Sequence, residues 1–92
     1  MTMTSTGIDT TYNGWKNYET WNVSLYLQND YGLYCLAREW VQDRRDIGYD
    51  NISYDVFHHT LYELAGPETP DGVSWGDSRL DIAELTEMLE EL

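Results

Sequence analysis

Cysteine occurs once in the chain, as Cys35, so no internal disulfide can form and a secreted disulfide scaffold is excluded. A reducing, cytoplasmic setting is the simpler expectation. Long apolar runs are missing too. No stretch approaches the length of a membrane span, and the opening residues MTMTSTGIDTT offer neither the basic region nor the apolar core of a signal peptide. Positive charge is the scarcest feature: 5 Lys+Arg stand against 17 Asp+Glu, giving −12 and a pI near 4.1. Direct binding to a DNA or RNA backbone is thereby disfavoured, because it relies on cations replacing the counterions condensed on phosphates. Glycine-rich phosphate loops, G-x-S-x-G elbows and CxxC pairs are absent as well.

What remains is ordinary in amount. Apolar types make up 41% and charged types 24%, so the chain can bury a core, and 92 residues allow one domain. Residues 1–11, Thr-rich and without helical periodicity, read as a flexible leader, and 12–92 as a single helical domain. The acids are unevenly spread. Residues 1–46 carry six acids and four bases, net −2, whereas residues 47–92 carry eleven acids and one base, Arg79, net −10.

Asn13-Gly14 marks a turn and Asn17 can cap a helix after it. The period there is ambiguous. Trp21, Val23, Leu25 and Leu27 alternate as in a strand, but Tyr18, Trp21, Leu25 and Gln28 fit one helical face, and the cap and length favour a helix of about 12 residues. Asp30 caps a second helix with Leu33, Leu36, Ala37, Trp40 and Val41 on its apolar stripe and Arg44 and Arg45 at its negative pole. Ser53 caps a third, with Val56, Phe57, Thr60, Leu61 and Leu64 at the 3.6 period, stopped by Gly66 and Pro67. Both prolines fall in GPETPDGVSWGD, a loop with a turn at Pro70-Asp71-Gly72, pinned by Val73 and Trp75. A last helix is expected from Asp77 or Ser78, with Ile82, Leu85, Met88, Leu89 and Leu92 on one face. The predicted fold is all-α, a compact bundle of about four helices with a Pro/Gly-rich loop before the last.

Along that last helix Asp77, Asp81, Glu84, Glu87 and Glu91 recur at spacings of three and four, with Glu90 beside them. Side chains so spaced share a face roughly 5–6 Å apart, a row of charge similar in sign and spacing to a nucleic-acid backbone. Glu87, Glu90 and Glu91 sit at the wrong pole of the helix dipole, so they oppose helix stability. Glu68 and Asp71 precede the row, and Asp50, Asp55 and Glu63 extend it if they face the same way. The bland alternative is a solvated face that keeps the protein soluble or suits high salt.

Four Trp and eight Tyr form a second unusual feature. Trp21, Trp40 and Phe57 fall on apolar faces and read as core. Tyr26, Tyr31, Tyr34, Tyr49, Tyr54 and Tyr62 exceed what one small core buries, and together with Trp75 they are candidate interface anchors. Metal and catalytic chemistry is poorly supported. His58 and His59 are adjacent and point about 100° apart on a helix, and Asp43, Asp46 and Asp50 fail the calcium-loop pattern because Arg45 and Ile47 hold ligand positions. A Cys35 nucleophile paired with either histidine lacks any orienting context, and Cys35 reads as a small buried hydrophobe. No catalytic residue, metal or cofactor is expected, and no enzyme.

Two segments, NGWKNYETWNVSLYLQNDYGLY at 13–34 and ETPDGVSW at 68–75 with the Leu- and Glu-rich stretch to 89, resemble a family of small acidic proteins of bacteriophages and other mobile elements. The patterns N-Y-E-T-W-N at Asn17–Asn22 and T-P-D-G-V at 69–73 carry the likeness. It implies a mobile-element origin and a helical fold, with no activity or site to transfer. In character the chain is also similar to phage inhibitors of host defence, including anti-CRISPR and anti-restriction proteins. The expected function is therefore a phage-encoded, anti-CRISPR-type inhibitor in the host cytoplasm. Its partner would be the basic nucleic-acid-binding groove of a host complex, a CRISPR effector before others, rather than nucleic acid itself or a membrane. Asp71, Trp75, Asp77, Asp81, Glu84, Glu87, Glu90 and Glu91 are the expected contact residues. The alternative is a small adaptor or oligomerising module that binds through aromatic side chains.

Overall fold

The computed structural model describes residues 11–48 and 52–92. The expected leader, apart from Thr11, lies outside the described residues, as do Tyr49 and Asp50. Four helices follow in order: α1 Tyr18–Asn29, α2 Tyr31–Asp46, α3 Tyr54–Ala65 and α4 Ile82–Glu90. Among the described residues there are no strands beyond two isolated backbone bridges. The architecture is the all-α bundle that the apolar periodicities predict.

Each helix begins where a short polar side chain can satisfy an orphan N–H. Asn17 accepts from the Thr20 N–H at 2.9 Å and Ser53 from the Asp55 N–H at 3.1 Å. Asp30 serves twice: its own N–H closes α1 on the Tyr26 carbonyl, and its carboxylate accepts from the Leu33 N–H at 3.1 Å to open α2. A one-residue joint of this kind folds α1 back onto α2. Ahead of α1, Asn13 and Gly14 adopt φ of 49° and 89°, and Tyr12 and Trp15 exchange backbone hydrogen bonds across them. The turn predicted at Asn-Gly is therefore a tight one with both central residues left-handed.

Three sequence expectations change. α1 is a helix, but not through the face Tyr18–Trp21–Leu25–Gln28; its buried residues are Thr20, Asn22, Val23, Ser24 and Leu27. The inner face of α1 is half polar because hydrogen bonds from elsewhere in the fold meet Thr20 and Asn22, while Ser24 donates to the Trp21 carbonyl within the helix. α4 starts at Ile82 rather than near Asp77. The Asp77 carboxylate accepts from the Arg79 N–H at 2.8 Å, an Asx turn that competes with helix formation, and Asp81 becomes the cap, accepting from the Glu84 N–H at 3.0 Å. Leu64, on the expected apolar stripe of α3, is 67% exposed.

α1 packs on α2, α3 on α4, and α4 also meets α1 and α2. The centre holds Val23, Leu27, Ala37, Val41, Tyr54, Phe57, Leu61, Leu85 and Leu89. Trp40 packs against it, tilted on Phe57 at 5.0 Å between ring centroids, with the Arg44 guanidinium over the Trp40 ring at 4.6 Å from its centroid. Val73 and Trp75 are buried, which pins the loop between α3 and α4 as expected. Within that loop Gly72, at φ 89°, closes a turn on the Thr69 carbonyl at 2.9 Å. Two ties fix α4: Thr86 Oγ1 accepts from the Tyr54 N–H at 3.0 Å, and Arg45 donates to the Glu90 carbonyl at 2.9 Å.

Candidate functional site

Helical spacing brings Glu84, Glu87 and Glu91 to one side of α4, where they line a single open groove of about 280 Å³ with Trp15, Gln28 and the Asn-Gly turn. No Lys or Arg belongs to its lining. Lys16, next to Trp15, meets the groove through its backbone, whose N–H donates to Glu84 Oε1 at 2.8 Å. Glu84 is thus partly committed to holding the N-terminal turn on α4, while Glu87 and Glu91 are exposed. Three of the eight predicted contact residues therefore come together as one negatively charged edge.

The other five do not join it. Asp71 is exposed, but its carboxylate accepts from Asn22 Nδ2 at 2.8 Å and from the Tyr26 hydroxyl at 3.0 Å. That contact raises the Tyr26 pKa, since an ionised phenol would lose the hydrogen bond and repel the carboxylate. Trp75 is 1% exposed and anchors its own loop rather than a partner. Asp77 is paired with Arg79, whose hydrogen bonds hold the carboxyl below the usual range, and Arg79 also reaches Glu19 at 3.1 Å. Asp81 is consumed as the cap of α4. Glu90 precedes Glu91 by about 100° of helix rotation and lies outside the groove lining.

Apart from the Asn17 cap, what sequence reasoning missed is the long-range bonding of the N-Y-E-T-W-N pattern, whose residues act as struts. Asn17 caps α1 and donates through Nδ2 to the Arg79 carbonyl at 2.7 Å. Thr20 Oγ1 accepts from the Asp81 N–H at 3.0 Å. Asn22, fully buried, accepts from Thr69 Oγ1 at 2.7 Å while donating to Asp71. Thr69 in turn accepts the N–H groups of Asp71 and Val73, both at 3.2 Å. The two quoted motifs, at 17–22 and 69–73, are thus halves of one polar network joining α1 to the loop. Their joint presence in the sequence was the available signal.

Among the aromatic candidates Trp21 is not core: it clusters with Tyr12 and Tyr18 at centroid distances of 4.8 and 5.7 Å, and both tyrosines are exposed. Tyr31 is 81% exposed, whereas Tyr54 is fully buried and donates to the Trp75 carbonyl at 2.5 Å. Tyr62 meets Ser74 Oγ at 2.9 Å beside His58. Cys35 is half-buried and lines a cleft with Arg38 and Arg45. Among the described residues no group of three or more His, Cys, Asp or Glu is placed to hold a metal ion, and no helix is long and apolar enough to cross a membrane.

Residues 8–92 match the model of a family of unknown function, DUF7249. No curated protein and no solved structure matches the chain.

Proposed function

The chain belongs to the DUF7249 family, whose description carries no activity, and we propose that it acts as a non-enzymatic inhibitor whose acidic edge enters a cationic nucleic-acid groove and excludes DNA. The observation that carries this reading is the groove edge of Glu84, Glu87 and Glu91, free of Lys and Arg in its lining, on a molecule of net charge −12. Complementary potential of this kind steers encounter and raises the on-rate, and it weakens as salt screens it. The contact set is narrower than the sequence row, because the carboxylates of Asp71, Asp77 and Asp81 are engaged within the fold. A phage origin and a CRISPR effector as target belong to the proposal and are supported by resemblance in character.

The test is competition between the protein and duplex DNA for a purified CRISPR effector–guide complex, run at low and high salt beside a pull-down from host lysate. The exposed pair Glu87→Lys and Glu91→Lys is expected to weaken competition by about ten-fold or more. Competition that ignores both charge reversal and salt overturns the reading. A second reading, an adaptor binding through aromatic side chains, is favoured by the exposed Tyr12–Tyr18–Trp21 cluster. It predicts salt-insensitive binding that Tyr18→Ser abolishes.

A further inference from the structure

The apolar stripes of α2 and α3 extend beyond what the fold covers. Leu64 stands 67% exposed at the end of α3, and Leu33 and Leu36 on α2 are only half-buried. These three leucines, with Pro70, border an open cleft of about 470 Å³ between the start of α2, the end of α3 and the loop that follows. Its remaining wall is unusual in two ways. Trp75 contributes to it, and the indole Nε1 is buried with no hydrogen-bond partner among the described residues. Such groups are uncommon in folded proteins, because a buried donor without an acceptor has lost its hydration and gained nothing in exchange. The ionisable residues of the lining are both acids, Asp30 and Glu68, with no cation among them.

We propose that this cleft is a second docking surface, distinct from the α4 edge, and that it takes a peptide segment presenting apolar side chains flanked by Lys or Arg. Leu33, Leu36 and Leu64 supply the apolar floor and Glu68 selects the basic flank, while Asp30, engaged through Oδ1 as the cap of α2, adds its negative field to the same rim. Trp75 belongs to the same lining, and its unpartnered indole N–H is the donor left for a peptide carbonyl. A second copy of this chain is a poor occupant because it brings the same −12 charge, and an anionic lipid surface is repelled for the same reason.

The experiment titrates the full chain, labelled with nitrogen-15, with a synthetic amphipathic Leu/Lys helix and with a control of equal charge in which every Leu is Ser. The readout is the Trp75 indole N–H resonance, assigned through Trp75→Phe. The Leu/Lys peptide is expected to move that resonance and the Ser control to leave it. Leu64→Asp is expected to weaken binding by about ten-fold. That variant adds negative charge beside a basic ligand, so weakening reports the lost apolar contact and not electrostatics. Because Leu64 is exposed, the variant keeps the fold. Glu87→Lys with Glu91→Lys should leave the Trp75 shift in place, which separates this surface from the α4 edge. The inference is overturned if the Ser control binds equally, if Leu64→Asp is without effect, or if the resonance moves with protein concentration alone, the mark of a second copy in the cleft.

Discussion

Thr69 shows how much one hydroxyl carries. It donates to the buried Asn22 and accepts two N–H groups of its own turn. Thr69→Val keeps the shape and strands Asn22 Oδ1 and both amides, so a loss of about 2–3 kcal/mol is expected from urea unfolding. Tyr54 makes a prediction about pH. Burial raises its pKa far above the ordinary tyrosine range, so the folded state keeps the phenol neutral while the unfolded chain ionises near pH ~10. Its contribution is fully present below that pH and falls as pH rises beyond it. Tyr54→Phe is expected to lose about 1 kcal/mol at neutral pH, through the hydrogen bond to the Trp75 carbonyl. It should also show a shallower decline in urea midpoint above about pH 10.

At the scale of elements, the loop between α3 and α4 sits unusually close to α3. A Cβ built at Gly76 would lie 2.6 Å from the Tyr62 hydroxyl and 3.0 Å from His58 Cδ2. The segment after Trp75 can therefore lie against α3 only where no side chain intervenes. Gly76→Ala is expected to cost about 1–3 kcal/mol, measured by thermal unfolding, and Tyr62→Phe in the same chain should restore part of it by removing the nearest atom. Caps and stops of the helices were legible one residue at a time: Asn17, Asp30, Ser53 and Gly66 all act locally, through the nearest backbone groups. The start of α4, expected at Asp77 or Ser78, was misread because Asp77 and Asp81, four residues apart, are both cap-type residues, and Asp77 is withheld by Arg79, which meets Glu19 of α1 and holds Asp77 in a turn.

Over the whole molecule, a net charge of −12 on a small bundle is self-repelling, and the attraction that salt would weaken includes the Arg79 pairs with Asp77 and Glu19. Added NaCl, from low ionic strength to about 1 M, is thus expected to raise the thermal midpoint, since screening relieves more repulsion than attraction. A midpoint that falls with salt would mean that specific pairs outweigh the general field. The same field bears on both proposed surfaces: it would favour a cationic groove at the α4 edge and a basic peptide at the cleft between α2 and α3.

Local chemistry and periodicity, both properties of neighbours along the chain, determined the presence of four helices, the caps of the first three, the tight turns and the total charge. Which carboxylates stay available was decided only by tertiary structure, because availability depends on who arrives from a distance. Asn22 and Tyr26 come 49 and 45 residues along the chain to reach Asp71. The Lys16 N–H likewise crosses 68 residues to reach Glu84. No helical period could assign those contacts; together with the short-range engagement of Asp77 by Arg79 and of Asp81 as a cap, they reduce a long acidic row to the short edge of Glu84, Glu87 and Glu91.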